Sequence, residues 1–258
     1  MDVLSLLGTN LLVMVVVLSV AALPSFRTKD ASYIDGLWGL GFVVVAVSTL
    51  LQTDGEPARQ ALLVGLTALW GVRLSAYLLR RWLRHGADQR YRTMLGQQPS
   101  NASIWLRVFV LQAVILTVVS LPVQLGQVDD GGLTALTWVG VAVALAGIGI
   151  EATADWQLAR FKADRANRGQ VMDRGLWGWS RHPNYFGEAV TWWGIGLVAW
   201  HDGLTALGLL GPAVITWFLL TRSGIGPLEK QLRETKPRYA DYVARTSAFF
   251  PRPPRARA

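Results

Sequence analysis

The chain has 258 residues, of which 52% are hydrophobic and 16% charged, with 12 Trp, no Cys and a net charge of +8. A soluble domain carries about 25% charged residues, so the deficit points to a surface that faces lipid. The lack of Cys excludes disulfides, thiolate metal sites and a Cys nucleophile.

Seven apolar segments follow in chain order, at about 3–23, 34–52, 58–79, 104–125, 133–154, 186–200 and 203–221. The longer ones approach the roughly 20 residues needed to cross a hydrocarbon core. The first, VLSLLGTNLLVMVVVLSVAAL, has neither a basic n-region nor a small-residue cleavage site and is expected to be a retained span. The sixth is short and is joined to the seventh by HDG alone. Of the 25 Lys and Arg, all but Arg59, Arg73 and Arg107 fall in connections 1–2, 3–4 and 5–6 or in the tail, which carries Arg222, Arg255 and Arg257 among others. The positive-inside rule then puts the N-terminus outside and the C-terminus in the cytoplasm. The expectation is an all-α polytopic membrane protein of about seven transmembrane helices. It forms a single integral-membrane domain over 1–258, with an amphipathic cytoplasmic tail at 222–258. The positive charge is topological on this reading, and no nucleic-acid partner is expected.

Ionisable groups within spans are costly and usually face a protein interior or a wet cavity. Asp35 lies where span 2 leaves the basic side. Arg73 and Tyr77 are one turn apart near the end of span 3, Glu151 and Asp155 one turn apart at the end of span 5, and Asn184 and Glu188 one turn apart at the start of span 6. Four spans thus bring polar groups to one half of the membrane, while the other half offers almost none. That pattern fits a cavity open to the cytoplasm. Each member also has a plainer reading: Arg73 snorkelling to headgroups, Asp35 capping its helix, Glu151 and Asp155 marking a solvated helix end. Trp138, Trp200 and Tyr33 suit interfacial belts, and His85 and His201 read as loop residues.

From Glu151 the chain continues EATADWQLARFKADRANRGQVMDRGLWGWSRHPNYFGE. Pro183 breaks the incoming helical pattern, and Asn184 is placed to cap a new helix whose N-terminus favours an anion. Basic residues suit phosphates, carboxylates suit ribose hydroxyls, and aromatic rings stack on flat heterocycles. A nucleotide-containing cofactor meets all three. No glycine pattern follows a strand, so no Rossmann fingerprint is present. His182 has no second His at metal-ligand spacing, and no metal is expected. In the tail, Leu228, Leu232 and Tyr239 to Val243 suggest short amphipathic helices at the membrane surface, either an anchor or a lid.

GLWGWSRHPNYFGE, the preceding Glu-x-x-x-Asp and the ending Y-x-x-Y-x-x-x-T-S-x-F-x-P resemble the steroid 5-alpha-reductase-like membrane proteins, in particular the bacterial branch labelled DUF1295. The resemblance implies seven to ten spans, an NADPH-binding cavity facing the cytoplasm of a bacterial inner membrane, and reduction of a carbon–carbon double bond in a steroid-like or other lipid. It implies that Glu151 and Asp155 contact the adenosine and ribose, that Lys162 and Arg174 lie by the phosphates, and that Asn184 and Glu188 hold the nicotinamide amide. Arg181, His182, Tyr185, Tyr239 and Tyr242 belong to the same cofactor-binding set. Arg73 and Tyr77 match the family's Arg-x-x-x-Tyr pair. The family's Glu late in span 2 is missing from VVVAVSTLLQ, and Trp70 stands where a Tyr is usual. Tyr77, or else Tyr33 or Asp35, is left as the replacement acid.

A second class is open. Isoprenylcysteine and phospholipid methyltransferases that use S-adenosylmethionine carry a similar RHP-x-Y-x-G turn and a later Glu and Tyr-rich tail, but commonly show paired Glu where this chain has EK at 229–230. A third, a non-enzymatic receptor or transporter, predicts polar residues through the outer half or helices broken at the midplane. The sequence displays neither.

Overall fold

The computed structural model describes residues 2–96, 98–221 and 225–254, and only the backbone of His85, Gln89, Pro227, Leu228, Lys230 and Gln231. Arg222, Arg255 and Arg257 lie outside the described residues, so the two ends of the expected tail do as well. Among the described residues the regular structure is helical, apart from one isolated β-bridge between Ser180 and Ser247. In chain order the helices are α1 (Val3–Thr28), α2 (Ile34–Leu50), α3 (Pro57–His85), α4 (Gln89–Leu95), α5 (Asn101–Val119) and α6 (Leu121–Gly126). They continue as α7 (Ala135–Ala163), α8 (Leu176–Trp179), α9 (Pro183–Ala199), α10 (Gly203–Thr221), α11 (Ile225–Thr235) and α12 (Tyr239–Arg245).

Among the described residues, α1, α3, α5, α7 and α10 are long and apolar enough to cross a membrane, and α2 is apolar but shorter. The 17 residues of α9 reach only about 25 Å, and its first turns are polar. The expected fourth segment, 104–125, divides in two. α5 ends at Val119, and α6 restarts with Pro122 in its first turn, the helical position that tolerates a missing N–H.

The sidedness of α1 is that of a helix in lipid. Its buried stripe runs Leu6, Asn10, Met14, Leu18, Ala22 and Ser25, so both of its buried polar residues face protein. Leu4, Leu12, Val16, Val20 and Leu23 are exposed. A polar residue facing inward and leucines facing outward make sense only where the solvent is apolar.

By packing, the chain falls into two compact units, Met1–Val141 with Ile195–Gly211 and Ala142–Gly194 with Pro212–Ala258. In the first, α2 and α3 meet backbone to backbone at Gly39 and Gly71, where neither has room for a Cβ. Lipid provides no hydrophobic drive between helices, so close approach through small residues and interhelical hydrogen bonds takes its place. Consistent with this, the Leu40 N–H donates to Ser75 Oγ at 3.0 Å. Trp70 is fully buried, with its ring edge-on to Phe42 at 5.4 Å.

The same unit contains a polar network at the end of α2 and the start of α3. Asn10 Nδ2 donates to Thr49 Oγ1 at 2.8 Å and to Gln124 Oε1 at 2.9 Å, while Asn10 Oδ1 accepts from Ser48 and Gln52. Gln60 Nε2 donates to the carbonyls of Thr53 and Gln127. Beside it, the fully buried Arg59 pairs with Asp129 and donates to the Gly132 carbonyl at 2.9 Å. Asp129 also meets His201 Nδ1 at 3.1 Å. The expectation that this half offers almost no polar groups is therefore corrected. Among the described residues its polar groups include amides and hydroxyls that bond one another, and Asp129, which joins Arg59 and His201 across three connections.

Candidate functional site

The second unit is organised by the crossing of α7 and α9. Gly147 leaves no room for a Cβ against the Thr191 nitrogen, and Gly194 leaves none against the Ala144 nitrogen. Gly187 lies at the Glu151 end of this line, where a Cβ would come within 2.6 Å of the Glu151 nitrogen. Three small residues, spaced along one line of contact, thus hold two helix backbones together. This contact decides the position of the polar residues at its basic end.

Glu151 and Asp155 are buried there, at 2% and 4% exposure, and Glu188 on α9 is buried at 8%. Asn184, half-buried, donates from Nδ2 to Asp155 Oδ1 at 3.4 Å. The expected pairs from α7 and α9 are therefore in one place. Three carboxylates and an amide within one helix crossing form an acceptor-rich set suited to ligand hydroxyls, amines or a carboxamide. Among the described residues no grouping of His, Cys, Asp and Glu could hold a metal ion.

The segment between the helices folds back onto α7. Gly175, at φ 58°, makes a turn that most side chains resist. It lets the Leu176 N–H donate to Gln157 Oε1 at 3.0 Å, and Trp177 Nε1 donates to the Ala154 carbonyl at 3.0 Å. Gln157 and Trp177 were not singled out by sequence, although Trp177 is buried.

Arg181 and His182 face the tail. Arg181 donates from Nε and Nη2 to the two oxygens of Glu229, at 2.7 and 3.2 Å, and from Nη1 to the carbonyls of Thr246 and Val243. His182 Nε2 lies 3.2 Å from Glu229 Oε1, and its ring stacks on Tyr185 at 5.5 Å. Burial pushes the Glu229 carboxyl up, but the hydrogen bonds from His182 and Arg181 outweigh it and hold the group at about 2. Glu229 was read from sequence only as part of EK, and 47 intervening residues hide its pairing with Arg181.

The tail is held at further points. Tyr242 donates to the Trp177 carbonyl at 2.5 Å, Ser180 Oγ donates to the Phe249 carbonyl at 2.8 Å, and the Arg181 N–H bonds the Ser247 carbonyl at 2.8 Å. Tyr239 packs on Tyr242, and burial together with the charge of Glu229 raises its phenol to about 12. Burial also raises the Tyr242 phenol, so both stay neutral at physiological pH.

The remaining candidates are more open. Lys162 and Arg174 are exposed and Tyr185 is half-buried. In the first unit, Arg73 and Tyr77 are half-buried, one turn apart on α3. Tyr33 is committed to α1, donating to the Ala21 carbonyl at 2.5 Å and accepting from Ser25. Asp35 does not cap α2; it accepts from Tyr91 at 2.6 Å and Arg90 at 2.8 Å.

A family model described as a protein of unknown function, DUF1295, matches residues 23–246. The chain belongs to the DUF1295 family. It is 23% identical to an uncharacterized protein of Schizosaccharomyces pombe, over 88% of this chain and 74% of the relative. No solved structure matches.

Proposed function

We propose that this protein is an NADPH-dependent reductase of the steroid 5-alpha-reductase type, acting on a carbon–carbon double bond of a hydrophobic lipid or steroid-like substrate. The observation that carries the reading is the buried set Glu151, Asp155, Asn184 and Glu188 at the α7–α9 crossing. Its chemistry fits the cofactor: Glu151 and Asp155 accept from ribose hydroxyls, and Asn184 with Glu188 offers a carboxamide both a donor and an acceptor. Lys162 and Arg174 supply cations for phosphate groups. When bound, NADPH supplies hydride to the electron-poor alkene carbon.

The chain's own residues then have distinct tasks. Tyr77 donates the proton that completes addition of two hydrogens across the double bond, and Arg73 steadies the charge that develops on the substrate. Trp70, packed in the core, takes no part. Arg181, His182, Tyr239 and Tyr242 act one step back from the cofactor, fixing the tail on the turn that leads into α9. The topology that goes with this reading has seven spans, including α2 and α9, with the N-terminus outside and the site facing the cytoplasm of a bacterial inner membrane.

A methyltransferase using S-adenosylmethionine is the second reading. It is favoured by the grip of the RHP turn on Glu229, since the turn resembles that of those enzymes and Glu229 stands at the first position of their usual Glu pair, with Lys230 departing from the second. Thermal stabilisation of the purified protein by NADPH, NADH and S-adenosylmethionine in parallel separates the two. The reductase reading requires NADPH to stabilise most, and stabilisation by S-adenosylmethionine alone would replace it with the second.

A further inference from the structure

Beyond the α7–α9 site, the structure has a basic cavity of about 180 Å³ just past the end of α7. Its lining includes Lys162 from the last turn of α7, Arg165 and Arg168 from the loop and Lys236 from the tail, with Gly169 adding no side chain. The one acid in it, Asp164, is engaged locally, accepting from the Ala166 N–H at 2.9 Å and so starting the short 3-10 turn Arg165–Asn167. Asn167 likewise bonds back to the Phe161 carbonyl at 3.0 Å. Lys236 reaches into the loop to donate to the Gln170 carbonyl. The guanidinium groups of Arg165 and Arg168 are exposed and make no hydrogen bond or ion pair among the described residues. Two cations without a partner among the described residues therefore stand at the cavity.

The depth of this cavity follows from α7 itself. Trp138 and Trp156 are exposed at 57% and 58% and are separated by 18 residues, which is five helical turns. They lie on one face about 27 Å apart, close to the thickness of a hydrocarbon core. Trp side chains gather at both membrane–water boundaries. Trp156, with Arg160 over its ring at 5.6 Å, thus marks one boundary. Phe161 is five residues further, about 7.5 Å along the axis, which places the cavity in the headgroup layer.

We infer that the cavity binds the phosphate of an anionic phospholipid headgroup, with Arg165 and Arg168 as its principal contacts. Lys162 in the lining is assigned to the cofactor phosphates on the reductase reading, but Arg165 and Arg168 are not, so the inference stands on those two residues and not on that reading.

The test is lipid retention by the full-length protein in detergent, measured by native mass spectrometry with phosphatidylglycerol and phosphatidylcholine. A basic side chain near an anionic surface contributes roughly fivefold in affinity. Wild type should retain phosphatidylglycerol about tenfold or more over phosphatidylcholine. The Arg165→Gln/Arg168→Gln double variant should lose that preference while keeping its melting temperature and its NADPH affinity. A single Lys236→Gln variant should weaken it in the same direction. Equal retention of the two lipids by wild type, or an unchanged preference in the double variant, overturns the inference. So does an inorganic pyrophosphate arm in which pyrophosphate stabilises wild type but not the double variant and phosphatidylglycerol has no advantage, since the pocket would then serve a soluble phosphate. A fall in NADPH affinity in the double variant also overturns it by giving the pocket to the cofactor. Failure of wild type to bind NADPH would instead count against the reductase reading and leave the lipid comparison intact.

Discussion

Gly187 on α9 faces the backbone nitrogen of Glu151 on α7 with space for a hydrogen and nothing larger, since a Cβ would lie 2.6 Å away. The residue after Gly187 is Glu188, so the contact that packs the helices also fixes the carboxylates of the candidate site. Gly187→Ala should destabilise the protein by roughly 1–3 kcal/mol, the usual cost of overpacking a tight contact. It should also weaken NADPH binding, because separating the helices separates Glu151 from Glu188. Thermal unfolding and cofactor titration on the same sample check both effects. Gly149, which has open space around it, is the control, and Gly149→Ala should leave both unchanged.

The clasp of Arg181 and His182 on Glu229 makes stability depend on acid pH. The folded pKa of Glu229 is about 2, below its ordinary 4.5. Its contribution is therefore complete above pH 4.5 and is lost as the pH falls through that value toward 2. Glu229→Gln should remove this part of the acid sensitivity and cost about 1–3 kcal/mol at neutral pH, the range for leaving a buried partner unsatisfied. The difference between the melting curves of the two proteins should be constant from pH 7 to about 5 and narrow steadily as the pH falls from 4.5 to 3. Parallel curves would show that the clasp is not titrating.

Asn10 joins α1 to Thr49 on α2 and Gln124 on α6. Asn10→Leu should leave these partners unsatisfied in an apolar setting and destabilise by about 1–2 kcal/mol, given the modest strength of interhelical hydrogen bonds in membranes. NADPH affinity should stay within twofold. Detergent-resistance and titration measurements separate the two effects.

If Tyr77 is the proton donor, Tyr77→Phe should lower turnover by about 10²–10⁴-fold. NADPH affinity should change little, since the phenol acts on the substrate. Single-turnover rates and equilibrium titration, made once an alkene substrate is in hand, give the comparison. Full activity in the variant would assign the acid elsewhere.

The sequence was most informative where charge and period coincide. Glu151 and Asp155, and Asn184 and Glu188, stand four apart in otherwise apolar helices, and that spacing alone puts each pair on one helical face. Long apolar runs likewise revealed α1, α3 and α7. What stayed hidden has physical reasons. Asn10, Gln124 and Gln127 carry no charge, so each is a minor interruption in an apolar run, and only the fold brings them together. LPVQLG keeps its hydropathy through Pro122, which conceals the break between α5 and α6. Arg181 and His182 were legible as a motif, yet their engagement with Glu229 depends on a tail contact that local pattern cannot supply. Asp35 had an evident local use as a cap, but Arg90 and Tyr91 hold it instead.

The central claim is that the α7–α9 crossing holds a nicotinamide cofactor. The direct measurement is the NADPH dissociation constant of the wild-type protein, Asn184→Ala and Glu188→Gln, each with its melting temperature. Loss of a hydrogen bond to a buried polar partner costs about 1.5–3 kcal/mol when a charged group is involved, so Glu188→Gln should bind roughly tenfold or more weakly, and Asn184→Ala should also be weakened. Both should stay folded. Equal affinity in all three proteins, or no NADPH binding by the wild type, would contradict the account.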